Sequence, residues 1–351
     1  MLVLPGDVRI ALHHLAVVGL AAILEDAGIE GVEFCWTREL QARPAVGAWN
    51  RDLDWDAVAD IVRRHAIVRA DAADWTAAQV PGREAGLLSP RIKPPQGDAE
   101  WVALTAARRA AIDRLLEERR YLDLALIGAL GEPAYWRFED SPAGRRGDRR
   151  ARRPDDGAGR WEMKTRNRGE DFVAHRLRRV ALAVAARTPA QVRDGLEGRT
   201  TEDEVGKNAV DSRTATGLAS PGPVDNALAW CALWGISAFP VVPLVASPSR
   251  TACHQPSRRG SASRSTYFFL PVTVRPIRLA RYHQIAVSAQ LATAALAGAV
   301  GGGPSLEAVA ARRWLVDRHV AAVVRFPIGV FGSSSAPERR ALLGEVDSLR
   351  P

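Results

Sequence analysis

The most pointed candidate for catalysis in this chain is Pro154-Asp155 followed by Glu162, Met163 and Lys164. Two carboxylates can hold Mg²⁺ while a lysine orients water or stabilises charge developing on a phosphate, which would make a phosphodiester-cleaving site. Lys164 is one of 3 lysines beside 45 arginines. Six residues separate Asp155 from Glu162, and the intervening Gly-Ala-Gly-Arg leaves little room for a strand carrying the aspartate across a hairpin. A Mg-dependent nuclease built on Asp155, Glu162 and Lys164 is therefore the alternative. The preferred reading assigns no catalytic residue, no metal and no cofactor.

Other nucleophile, base and ligand sets are incomplete. His13 and His14 are adjacent on a helical pattern and point about 100° apart, so one is expected buried and one exposed. Ser333-Ser334-Ser335 and Gly301-Gly302-Gly303 lack the remainder of a nucleophile-elbow or phosphate-loop motif and read as turns. Cys35, Cys231 and Cys253 are far apart and form no CxxC pair, and Cys253-His254 alone leaves a tetrahedral metal site unfinished.

Charge points elsewhere. From Arg145 to Arg179 there are thirteen Arg/Lys against six Asp/Glu, so this segment carries +7 of the chain's formal +8. GC-rich codon usage accounts for abundant arginine but not for this local imbalance, because acidic residues keep pace elsewhere, as in EWVALTAARRAAIDRLLEERRYLD. A basic stretch of this kind suits a polyanion, because each neutralised phosphate releases counterions whatever the base sequence. Arg145, Arg146, Arg149, Arg150, Arg152 and Arg153 are expected on a flexible arm (141–160). Lys164, Arg166, Arg168, Arg176 and Arg179 are expected to form the ordered part of the same groove. Trp161, one of 10 tryptophans, is the candidate base-stacking platform. Arg213 sits in DSRTATGLASPGPVDNALAW, where amides at a helix start could hold a phosphate, although Asp225 as an ordinary cap explains the pattern equally well.

The elements that must position these residues follow from periodicity and punctuation. An apolar strand (2–10), a helix over 13–28 ended by Gly28, a strand over 31–36 and a helix over 53–71 suggest an α/β layer. Residues 80–98 carry four prolines and three glycines and read as a loop or lid between lobes. One long helical signal covers 98–130, and 135–138 suggests an edge strand. Beyond the arm come helices over 170–187 and from Pro189, and a polar stretch over 200–225. Trp230 and Trp234, four apart, belong to a buried helix, and a hydrophilic insertion follows at 247–265. A strand begins at Ser265, helices cover 277–299 and 305–318, and a strand covers 320–326. The fold class is α+β: two helix-rich lobes (1–140 and 161–351) with small mixed sheets, long polar loops and a basic arm. Apolar runs are short or alanine-rich, so no membrane span is expected, and MLVLPGDVRI lacks a basic leader, so a cytoplasmic location is expected.

Three segments, HHLAVVGLAAILEDAG (13–28), WEMKTRNRGEDFVAHRL (161–177) and VDSRTATGLASPGPVDNALAWCALWGISAFPV (210–241), resemble proteins encoded with CRISPR systems of the actinobacterial type I-U (I-G) group, most like large-subunit or accessory proteins of a Cascade effector complex. They cover 65 of 351 residues. The resemblance implies an RNA-guided complex in defence against foreign DNA, with CRISPR RNA and/or target DNA, other effector-complex subunits and a separate nuclease-helicase as partners, and it carries over no active-site residue. Large subunits of related systems are often longer than this chain. The expectation is a non-catalytic RNA- or DNA-binding subunit, against the nuclease above and a scaffold that binds only proteins.

Overall fold

Apolar residues on every face make a helix that must be surrounded, and the two such helices of this chain lie against each other. In the computed structural model, which describes residues 1–90, 92, 95, 97–131, 137–139, 151–153, 160–161, 171–214, 216–242, 250–256, 265–297, 305–333 and 336–349, helix α1 (Ala11–Asp26) is buried at every residue from His14 to Leu24. Its partner is α7 (Asn226–Gly235), buried at every residue. Glycines set how closely they meet: a Cβ added to Gly19 would stand 1.8 Å from the Cys231 carbonyl oxygen, and one added to Gly235 would stand 2.1 Å from that of Leu15. Helix backbones in contact leave no room for a methyl group.

Around α1 the N-terminal strands β1 (Leu2–Val3), β2 (Val32–Trp36) and β3 (Pro44–Ala48) form an antiparallel sheet in the order β1-β3-β2. The expected α/β layer is thus corrected in its pairing: the unpredicted β3 inserts between β1 and β2 and pairs antiparallel with both, so β1 and β2, joined through α1, run in the same direction without forming a parallel ladder. Helix α2 (Trp55–Ala70) starts where Asp54 Oδ1 accepts the Ala57 amide at 2.8 Å. The expected single helix over 98–130 is two, α3 (Gly97–Glu117) and α4 (Tyr121–Leu130). The break falls at Arg119, whose φ is +56°, and it lets Arg120 turn back to bond Asp74 and Asp123.

Strands β4 (Arg137–Glu139) and β5 (Ala151–Arg153) pair antiparallel. A π-helical turn, Val173–Leu177, runs into α5 (Arg178–Ala186), and α6 (Pro189–Glu197) opens with a capping box between Thr188 and Gln191. Short strands β6 (Val241–Val242) and β7 (Arg250–Thr251) pair, and the larger sheet is built from β8 (His254–Pro256), β9 (Ser265–Thr273), β10 (Val320–Ser333), β11 (Ala336–Ala341) and β12 (Glu345–Ser348). Its order is β11-β10-β9-β8, with β12 also on β10, and every pairing is antiparallel. The small sheets are therefore antiparallel rather than mixed. Helices α8 (Leu279–Ala286), α9 (Ala289–Ala297) and α10 (Leu306–Val316) complete the α+β fold; Ser288, whose Oγ accepts the Leu291 amide, divides what the periodicity suggested was one helix.

One apolar cluster runs from Leu4 to Leu349 and includes α1, α2, α5, α7 and the β9/β10 core residues. A boundary between lobes at 140–161 does not divide this core, because α1 and α2 pack directly on α7, α5 and α6. Among the described residues no helix is long and apolar enough to cross a membrane.

Candidate nucleic-acid interface

Most of the basic segment falls outside the described residues: Arg145, Arg146, Arg149, Arg150, Arg166 and Arg168, together with Asp155, Glu162 and Lys164. Arg152 and Arg153 belong to β5, in register with Phe138 and Arg137. This part of the 141–160 arm is therefore extended and paired, since the strand ladder satisfies its backbone groups.

On either side of residues 162–170 the chain is fixed in the core. On the N-terminal side, Trp161 is fully buried, with its ring centroid 4.9 Å from Phe239, 4.4 Å from His254 and 5.3 Å from Phe268. This corrects its expected role as a stacking platform: an indole enclosed by three rings has no face left for a base. His254 is pushed well below the usual imidazole range by burial and the nearby arginine charges of Arg160 and Arg339, so it packs as a neutral ring.

On the C-terminal side, Asp171 is a hub. Its Oδ1 accepts from Ser89 Oγ at 2.6 Å and from the Ala174 amide at 2.7 Å, and its Oδ2 accepts the Gly86 amide at 3.0 Å. The Asp171 amide in turn donates to His175 Nδ1 at 3.2 Å. Serine, aspartate and histidine meet here without forming a nucleophilic triad, because Ser89 is fully buried and donates to the carboxylate instead of to the imidazole. The cluster ties the 86–89 turn to the end of the basic segment.

The helix that follows separates its arginines by burial. Arg176 is only 9 % exposed. Arg178 donates to the carbonyls of Ala70 at 3.1 Å and Asp71 at 2.9 Å, capping the C-terminal end of α2. Arg179 is exposed and forms no ion pair among the described residues. The expected ordered groove is thus corrected at Arg176, which the core encloses, while Arg179 is exposed on the same helical stretch.

That end of α2 is itself held by a buried ionic knot. Asp123, fully buried, accepts from Arg69 Nη2 at 2.6 Å, Arg120 Nη2 at 2.8 Å and Trp75 Nε1 at 2.6 Å. Arg120 also reaches Asp74 at 2.6 Å, and Asp26 lies 3.5 Å from Arg69. Burial raises the Asp26 carboxyl above its ordinary value, with Arg69 opposing the shift.

Arg213 is 47 % exposed at its side chain, and its Nη1 donates to Glu338 Oε2 at 2.7 Å. Asp225 caps α7 by accepting the Ala227 amide at 2.8 Å and also binds Arg187, so that helix start is occupied by protein groups. The 200–225 stretch holds no helix or strand among its described residues but is well fixed, with Asp203 accepting from Ser212, from Thr214 at 2.7 Å and from Asn226 at 2.9 Å.

Two further features lie at the surface. Trp49 is 65 % exposed, with the Arg278 guanidinium 5.9 Å from its ring centroid. Arg340 shares Glu338 with Arg213, and the i, i+2 spacing of Glu338 and Arg340 on a strand was the signal available for it. No group of three or more His, Cys, Asp or Glu placed to hold a metal occurs among the described residues. Comparison with known proteins finds no matching family model, no similar curated protein and no similar solved structure.

Proposed function

We propose that this chain is a non-catalytic nucleic-acid-binding subunit of a CRISPR RNA-guided, Cascade-type effector complex, holding the phosphate backbone of CRISPR RNA or target DNA. The observation that carries the binding function is the concentration of +7 of the formal +8 charge between Arg145 and Arg179. Burial of Trp161 and the hydrogen bonds of Asp171 support it, because they fix the chain on both sides of Lys164, Arg166 and Arg168. Arg179 adds an exposed cation on the adjoining helix. Placement in a Cascade-type complex rests on the three resembling segments.

The test is salt-dependent binding of the full chain to labelled single-stranded RNA and to duplex DNA, with and without Mg²⁺, following retention and cleavage together. Retention of intact ligand that weakens steeply with salt supports the proposal. Mg²⁺-dependent cleavage abolished by Glu162→Ala replaces it with the nuclease, and absence of binding to either ligand replaces it with a protein-only scaffold.

A further inference from the structure

Where the 212–221 turn meets β11, a shallow depression opens to solvent between Arg213, Gly217, Ser220, Pro221, Glu338 and Arg340. Its charge is unbalanced in a specific way. Glu338 is 8 % exposed, and its two carboxylate oxygens are taken by different guanidinium groups, Oε2 by Arg213 at 2.7 Å and Oε1 by Arg340 Nε at 3.3 Å. One negative charge therefore faces two positive ones. Asp203, which bonds Ser212 beside the depression, is fully buried and directed to Ser212, Thr214 and Asn226.

Both guanidiniums are held and underused. Arg340 lies over the Phe331 ring at 4.6 Å and is 15 % exposed at its side chain, and its two Nη groups donate to nothing among the described residues. Arg213 spends one Nη on Glu338 and leaves Nε and the other Nη without a protein acceptor among them. The facing turn is tied to β11 by the Ala341 amide, which donates to the Gly217 carbonyl at 2.7 Å. A planar fork already oriented by a carboxylate and a ring loses little freedom on taking an anion, and its remaining N–H groups match phosphate oxygens.

We propose that Arg213 and Arg340 form a phosphate-binding subsite, with Glu338 as the residue that positions both, and that it takes one phosphate group of a nucleic-acid backbone. The depression is open and shallow, which suits a group on the surface of a long chain better than an enclosed small molecule. This deepens and rests on the nucleic-acid-binding function, adding a contact separate in sequence from the 145–179 segment.

The experiment uses the full chain and two double variants, Arg213→Gln with Arg340→Gln, and Arg213→Lys with Arg340→Lys, each checked for folding by thermal melting. Labelled single-stranded RNA is titrated at several salt concentrations, and inorganic phosphate is titrated separately by calorimetry. The expected result is roughly tenfold weaker RNA binding by the glutamine variant, the scale of charge-assisted hydrogen bonds to one group. The slope of log affinity against log salt should be shallower by about 0.7. The lysine variant should keep the slope while binding more weakly, because it keeps charge and loses the fork; it also carries the test should the glutamine variant not fold. Unchanged affinity and slope in folded variants, with wild-type RNA binding intact, overturns the subsite and leaves the broader function standing. Binding of inorganic phosphate lost in the glutamine variant, with no RNA binding by wild type, keeps the anion site as one for free phosphate and overturns the nucleic-acid function. Failure of wild type to bind either probe overturns both.

Discussion

Two clusters of arginines show how the same side chain serves opposite ends. In the buried knot, Arg69 and Arg120 meet Asp26, Asp74 and Asp123, so carboxylates outnumber guanidiniums. At the β11 depression, Arg213 and Arg340 share Glu338 alone. In the first arrangement each guanidinium is met by carboxylates and helix ends are fixed, whereas the second retains a positive charge that no further ion pair among the described residues meets. The ratio of carboxylate to guanidinium, more than the number of arginines, separates the structural cluster from the proposed phosphate subsite in this arginine-rich chain.

The strongest way to sharpen that contrast is Asp123→Ala, which leaves two guanidiniums buried without their shared acceptor. A loss of about 3–5 kcal/mol in chemical denaturation is expected. Trp161→Ala should also cost about 3–5 kcal/mol by opening a cavity in the aromatic cluster. The milder Trp161→Phe should lower the melting temperature and leave RNA affinity unchanged; weakened binding with unchanged melting would break the contrast by returning that indole to the interface. Gly19→Ala, with its Cβ set against the Cys231 carbonyl, should cost about 1–3 kcal/mol by forcing α1 from α7.

Acid should loosen the core rather than the surface clusters. Burial lowers the His14 imidazole from its ordinary 6.5 to about 3, and lowers that of His65 well below its ordinary value. A depressed folded value means that the unfolded chain binds more protons, so the stability these groups contribute is complete above pH 6.5 and is lost as pH falls below it, for His14 on the way toward 3. The measurement is the denaturation midpoint against pH, and His14→Phe should flatten that fall. A pH profile left unchanged would remove His14 from it.

The smallest effect separates neighbours. Arg179→Ala should leave melting unchanged and make the salt slope of RNA binding shallower by about 0.7. Arg178→Ala should leave the slope unchanged and destabilise the chain by about 1–2 kcal/mol through the uncapped carbonyls of Ala70 and Asp71. Reversed results would exchange the two roles.

Helix existence was readable where apolar periodicity was strong, as in α1, α2 and the Trp230/Trp234 helix. What was hidden depended on partners distant in sequence. Pro44–Ala48 lacks the β-branched density of a strand and forms β3 because β2 lies beside it with backbone groups to pair. Nothing local in WVALTAARRAAIDRLLEERRYLD marks Arg119, because the break there serves the bond from Arg120 to Asp74, 46 residues earlier. At the candidate interface the charge imbalance was legible from composition. Burial of Trp161 was not, because the rings that enclose it come from Phe239, His254 and Phe268.

Fixing the chain at Trp161 and Asp171 also sets a length scale. Ten peptide steps separate these residues, and at roughly 3.4 Å per residue the intervening chain is at most about 34 Å long. With both ends held, no atom of its backbone can stand farther than about 17 Å from the nearer anchor. Under the proposed function, any phosphate contact made by Lys164, Arg166 and Arg168 is therefore confined to side-chain reach beyond that distance, a shorter range than the same residues would have on a chain anchored at one end.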